Sequence, residues 1–351
     1  MAGHRRRRTP AGAGRRPGQP RTAHRLGGVE RVTLLAGGVG GARLAHGLDL
    51  ALRPSDEPMP ISGNPAPRHP LTVVVNVGDD TELHGLWISP DIDTVLYTLA
   101  ELNDEERGWG LRGETYATLE QLARLGEDTW FTLGDLDLAT HIVRTARLRS
   151  GSPLSAVTSQ IAESLGVRPR ILPVTDDSLA TMVDTPSGRL GFQEYFVGHQ
   201  HSDEVLGLHF EGAEATRPAP GVVDALREAE LVLLAPSNPF LSIDPVLAVP
   251  GVRDALTGTA ARRVAVSPIV GGAAIKGPAA QILESLGHEV SALGVARLYT
   301  ELADVMCIDE RDAHLSGPIA DLGFEVLVTD TIMGGPDGRE RLARELLGLG
   351  T

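Results

Sequence analysis

Acidic and small polar residues gather at a few points of this chain, each beside glycine or proline. Asn76-Val77-Gly78-Asp79-Asp80 closes an apolar run, and its carboxylates suit a ribose hydroxyl or a Mg2+ ion beside phosphates. The plain alternative is a Gly-Asp turn with solvated acids. In Ser89-Pro90-Asp91-Ile92-Asp93-Thr94, Ser89 or Asp91 can cap a helix, whereas Asp93 points elsewhere and is the better functional candidate. Leu133-Gly134-Asp135-Leu136-Asp137 opens a helix that carries His141. Asp135 as its N-cap and His141 as a core or surface histidine are the plain readings. Pro236-Ser237-Asn238-Pro239 and Ser267-Pro268-Ile269-Val270-Gly271 each follow a buried strand and hold small polar groups on stiff backbone, fit to recognise a base or a phosphate. Lys276 could meet a phosphate, although an exposed loop lysine is the default.

The strongest single signal runs from Val32 to Leu44, where an apolar stretch breaks into Gly37, Gly38, Gly40 and Gly41 and resumes with helical spacing. A strand, glycine turn and helix start bring bare N–H groups and the positive end of a helix dipole to one point, where a phosphate sits well. The spacing matches neither the dinucleotide fingerprint nor the P-loop, so the turn implies a nucleotide without specifying which. A nucleophile elbow, a metal-spaced histidine cluster and a base-stacking aromatic series are all missing from the pattern. These residues describe a nucleotide-dependent enzyme that uses Mg2+ and carboxylates, with the reaction unresolved.

The elements that must position these groups alternate. Strand-like runs at Val32 to Ala36, Leu71 to Val77, Arg170 to Val174, Leu231 to Ala235, Arg263 to Val266 and Glu325 to Val328 are mostly continuous apolar stretches, as in a parallel sheet buried on both faces. Helical periodicity lies between them, for example from Ala139 to Arg149, Leu154 to Leu165, Gly221 to Ala229 and Ala279 to Leu286. The expected fold is α/β: one doubly wound, mostly parallel sheet over residues 31–351, with a largely helical insertion near 91–169. Residues 54–70 read as a surface insertion, and Met182 to Val197 as a small antiparallel excursion.

The 351 residues are 42% hydrophobic and mean hydropathy is -0.03, the composition of an ordinary soluble protein. Residues 1–30 hold eight arginines against one glutamate and carry +7, leaving -21 for the rest of a chain whose net charge is -14. That acidic body argues against nucleic acid as a partner, and the basic head reads as a disordered tail. It lacks the apolar core of a signal peptide, and no later segment is apolar for long enough to span a membrane. The single cysteine, Cys307, excludes an internal disulfide, and the cytoplasm is the expected compartment. Lys276 is the only lysine while Arg, Ala and Gly abound, as a GC-rich coding sequence would give.

Taken in order, the glycine turn, Val75-Asn76, Ile88 to Tyr97, Leu133-Gly134-Asp135 through Ile142, Ile171 to Asp177, Pro236 to Pro239, Ser267 to Gly271 and Ile308 to Asp312 resemble the 2-phospho-L-lactate transferase family of coenzyme F420 biosynthesis. The resemblance spans residue 31 to the C-terminus. It implies transfer of a phospho-three-carbon acid from its guanosine diphosphate adduct to the terminal ribitol hydroxyl of the deazaflavin Fo, with release of GMP and with Mg2+ as cofactor. It implies that Asp93 and Thr132 contact Fo, with Asp91 and His141 beside them. The glycine turn, Asn76, Ser237, Asn238 and Gly271 would then hold the guanosine diphosphate part. On chemical grounds Asp79, Asp80 and Asp93 are the expected Mg2+ ligands, and Asp93 the group that orients or deprotonates the hydroxyl. The competing readings are a sugar-nucleotide-binding regulatory relative without transferase activity and a nicotinamide-dependent dehydrogenase, the latter disfavoured by the glycine spacing. The arginine-rich composition points to an actinobacterial source, for which the resemblance implies enolpyruvyl-diphospho-5'-guanosine as donor and dehydro-F420-0 as product. An acidic α/β enzyme of this size is often a homodimer.

Overall fold

The computed structural model describes residues 29–53, 69–199, 203–275 and 277–350. Lys276, residues 1–28 of the expected tail and most of the 54–70 insertion lie outside the described residues. Val29 is buried in the core, and the Glu30 N–H donates to Glu230 at 2.6 Å, so the last two residues of the 1–30 segment belong to the folded body.

The apolar run that starts the fold becomes β1 (Val32–Ala36), buried along its whole length, and the glycines open α1 (Gly38–Leu52). β2 (Leu71–Val75) is followed by a hairpin of β3 (Thr81–Leu83) and β4 (Leu86–Ile88). Four helices come next: α2 (Pro90–Leu99), α3 (Ala117–Leu125), α4 (Asp135–Arg149) and α5 (Leu154–Ser164). They lead into β5 (Arg170–Pro173) and then a three-stranded antiparallel sheet of β6 (Ala180–Thr185), β7 (Gly188–Gly191) and β8 (Gly207–Glu211). The rest alternates: α6 (Val222–Glu228), β9 (Leu231–Leu234), α7 (Asp244–Ala248), α8 (Val252–Thr257) and β10 (Arg262–Val266). A short β11 (Ile269–Val270) and β12 (Ala273–Ala274) pair precedes α9 (Ala279–Ser285) and α10 (Ala292–Leu298). The chain closes with β13 (Val305–Asp309), α11 (Ser316–Ala320), β14 (Glu325–Thr329) and α12 (Gly335–Leu347).

Seven strands form the central sheet in the order β14-β13-β10-β9-β1-β2-β5, and every pairing in it is parallel. Val32 lies beside both Leu71 and Leu231, so β1 is central. From β1 the chain winds outward through β2 and β5 on one side and through β9, β10, β13 and β14 on the other. The order reverses between β1 and β9. Parallel strands that diverge in this way leave a crevice outside their carboxyl ends, and ligands of doubly wound folds bind there. The expected strands are present, and β13, which the sequence reading passed over, sits between β10 and β14.

Candidate active site

A cavity of about 520 Å³ opens at the β1–β9 reversal. Its floor is made by backbone. The Ser237 hydroxyl donates to Gly37 O at 2.6 Å and accepts from Gly37 N at 3.3 Å, tying the end of β9 to the glycine turn. A Cβ on Gly40 would lie 2.2 Å from Pro236 O, so the two loops approach as closely as only glycine permits. Gly38 takes φ +59. The first free N–H of α1 already has an acceptor: Gly38 N donates to Asp91 Oδ1 at 2.7 Å. Asp91 therefore caps a helix, as expected, but it caps α1 and not its own α2. Asn76 Nδ2 donates to the other Asp91 oxygen at 2.9 Å, and Asn76 Oδ1 accepts from Gly78 N at 2.8 Å.

Of the acids that follow the second strand, Asp79 is buried and Asp80 half-buried with its carboxylate held by neighbours, so the turn they sit in is not a solvated one. Burial, reinforced by the charge of Asp91, pushes Asp79 well above the ordinary carboxylate value. Burial likewise raises Asp91 to about 6 and Asp80 to about 8. Asp79 and Asp91 line the cavity, and Asp79 Oδ1 is buried without a hydrogen-bond partner. Asp80 is turned away from the cavity, where its Oδ2 accepts from Ser89 Oγ at 2.7 Å and Trp87 Nε1 at 3.1 Å.

The opposite wall is made by side chains of the helical segment. Both oxygens of Asp93 are engaged by the guanidinium of Arg144, which is 0% exposed. His141 lies between two carboxylates, its Nε2 3.3 Å from Asp137 Oδ1 and its Nδ1 3.7 Å from Asp93 Oδ2. Tyr97 OH donates to Asp137 Oδ1 at 2.6 Å. Burial works against the charge of Asp137, but His141 and the tyrosine hydroxyl hold it below the ordinary range. Asp93, Asp137 and His141 offer ligand atoms within 4.8 Å of one another. Among the described residues Asp79, Asp80 and Asp93 do not form such a group. Arg144 already balances Asp93, so the cluster is compensated without a cation.

The entry of α4 is also not as the spacing suggested. Asp135 is not its N-cap: its carboxylate reaches Thr115 Oγ1 at 2.5 Å and the N–H groups of Ala117 and Thr118 at 3.0 Å. Glu114 does the capping, accepting from Leu136 N and Asp137 N at 2.8 Å. A Cβ on Gly134 would fall 2.1 Å from the Glu114 carboxyl carbon, which explains the glycine.

Of the residues singled out from sequence, Gly37, Gly38, Gly40, Asp79, Asp91, Asp93, Thr132, His141, Ser237 and Asn238 line one cavity. Asn238 Oδ1 accepts from Phe240 N and Leu241 N, and its Nδ2 is buried without a partner. Asn76, Asp80 and Gly41 stand behind the lining, and Gly271 N is spent on Asp312 Oδ2 at 2.9 Å. Sequence reasoning missed Arg43, Arg107 and the aromatic set of Trp109, Phe131, Phe192 and Phe196. Phe192 and Phe196 stack at 5.4 Å. No local signal reveals this set, because its members come from separate segments.

Comparison with known proteins gives the family. Residues 32–319 match the family 2-phospho-L-lactate transferase CofD. The chain belongs to that family. It is 40% identical over 325 residues to a phosphoenolpyruvate transferase of Streptomyces griseus, covering 91% of this chain and 98% of the relative. It is 37% identical over 316 residues to a 2-phospho-L-lactate transferase of Methanosarcina acetivorans, covering 90% and 98%. The fold is shared with a Bacillus halodurans protein of the UPF0052 family, with TM-score 0.58 at 15% identity over 91% of this chain and 99% of that one. Among the described residues no helix is long and apolar enough to cross a membrane.

Proposed function

We propose that this chain transfers the phosphoenolpyruvyl group of enolpyruvyl-diphospho-5'-guanosine to the terminal ribitol hydroxyl of Fo, giving dehydro-F420-0 and GMP in coenzyme F420 biosynthesis. One observation carries the reading: a single cavity joins a glycine turn at the sheet reversal to a pair of buried acids and an aromatic wall. A nucleotide diphosphate fits the first, a reacting phosphoryl group the second and a flat deazaflavin the third. The donor assignment draws support from relatives named phosphoenolpyruvate transferase and from the composition.

Mg2+ suits Asp79 and Asp91, two hard oxygen donors whose burial makes their charge costly and one of which has an unpartnered oxygen. Of the ligands expected from sequence, Asp80 lies outside the cavity lining, with one oxygen held by Ser89 and Trp87, and Asp93 is held by Arg144. When bound, the ion supplies charge neutralisation on the phosphoryl oxygens. Asp93, fixed by Arg144, and Thr132 orient the ribitol chain. Asn238 Nδ2 offers a buried donor to the nucleotide. Trp109, Phe131, Phe192 and Phe196 exclude water around the ring system. The expected compartment is the cytoplasm. A homodimer is the expected assembly, and the exposed Ile142 and Val143 of α4 are apolar groups that a second copy would cover.

Mass spectrometry of the product formed from Fo and donor tests the reading. The expected product is the dehydro species, formed only when Mg2+ is present. Predominance of the product two hydrogens heavier reassigns the donor to phospholactate, and turnover unaffected by EDTA removes the metal.

A further inference from the structure

Arg43 lies five residues into α1 from Gly38, about 7.5 Å along the axis at 1.5 Å per residue. Helical side chains lean toward the N-terminus, so this one returns to the cavity, which it lines half-buried. Among the described residues it makes no hydrogen bond or ion pair. The other arginine of the lining, Arg107, is engaged: it lies 3.7 Å from Asp104 and stacks over Trp109 and Tyr116 at 5.9 and 5.2 Å. Arg144 is spent on Asp93.

Behind Arg43 stands a second guanidinium, Arg339 of α12, which is 2% exposed. It donates to Glu105 at 2.7 Å and faces His46 Nδ1 at 3.3 Å. Glu105 is thus committed to Arg339, and its charge reaches Arg43 only at longer range. Burial and the repulsion of Arg339 together lower the Arg43 pKa, as they would for a cation whose counter-ion has yet to arrive.

We propose that Arg43 binds the carboxylate of the three-carbon acid being transferred. This rests on the function proposed above, and it follows from the distribution of charge in the cavity. A donor of that class brings two anionic units, the diphosphate and the carboxylate. The helix start of α1 and a cation on Asp79 and Asp91 serve the diphosphate. The remaining acids of the lining, Asp93 and Asp137, repel a carboxylate. Among the described residues Arg43 is the charge in the lining left to receive it, with a planar fork suited to bidentate pairing. The carboxylate is common to phosphoenolpyruvate, phospholactate and phosphoglycerate adducts, so Arg43 selects the class of acid and not its member.

The test is calorimetric, on the full chain with Mg2+ present. Three probes are titrated: GDP, lactyl-diphosphoguanosine, and the isopropyl ester of GDP, in which a methyl group replaces the carboxylate. Arg43→Gln is expected to weaken the lactyl adduct about 10- to 100-fold and to leave GDP and the isopropyl ester within about 2-fold, with Arg43→Lys between the two. Equal losses on all three probes would assign Arg43 to the diphosphate, and an unchanged lactyl affinity would remove it from the donor site; either overturns the proposal. Failure of the wild-type chain to bind GDP at all overturns the function reading instead. Circular dichroism melting of each variant separates misfolding from lost recognition.

Discussion

On the sheet side of the cavity, Gly37, Gly40, Pro236 and Ser237 meet through backbone atoms and one hydroxyl. On the helical side, Asp93 meets Arg144 and Asp137 meets Tyr97 and His141 through long side chains. The first wall is fixed by how closely two strands end, and leaves no room for added atoms. The second is fixed by charges removed from water, which hold only while each keeps its partner. A nucleotide's diphosphate is the same in every turnover and suits a rigid cradle. On the proposed function, the helical wall organises several polar groups around one reacting hydroxyl, which a side-chain network does with more freedom.

The contrast breaks most sharply at Arg144. Arg144→Leu leaves Asp93 buried and unpaired and is expected to cost about 3–5 kcal/mol in urea denaturation, part of which returns when Asp93→Asn is added. A loss below about 1 kcal/mol would mean that the helical wall is not held by this pair. Next in size is Gly40→Ala, which sets a methyl against Pro236 O and is expected to cost about 1–3 kcal/mol and to weaken GDP binding. Unchanged stability and GDP affinity would show the cradle to be pliant.

The finest-grained test of the comparison runs through pH, where each unit moves stability by less than either substitution does. Asp80 is raised from 3.8 to about 8 when folded. Between those values the folded protein keeps a proton that the unfolded chain has lost. Stability therefore falls as pH rises through that window, by up to about 1.4 kcal/mol per unit from this group. Asp80→Asn should flatten the slope while retaining an acceptor for Ser89 and Trp87. A variant with the wild-type slope would place the burden on Asp79 and Asp91.

The same difference governs what could be read from the sequence. β1 and the glycine turn were legible because strand, turn and helix start follow within a dozen residues and obey local rules. β13 was not, since Val305 to Ile308 is too short an apolar run for periodicity to separate strand from buried helix. Asp91 and Asp93 were correctly read as pointing apart, yet what each meets, Gly38 and Arg144, lies some fifty residues away. Asp135 looked like a cap because a helix start next to an aspartate usually has one. Glu114 took that place through a contact that spacing does not encode. The aromatic wall is the extreme case, assembled from three segments with no common pattern.

The exchange between Glu114 and Asp135 also changes what the intervening chain is for. Each end of the segment reaches across and satisfies the other, so the polypeptide between Thr118 and Asp135 has its ends already fastened. Between them, α3 buries none of its residues. Seen as wiring, this helix is a spare loop on a closed circuit: its length and sequence can drift, or be rewritten as a tag or a tether, while Asp137 and His141 stay where Glu114 puts them.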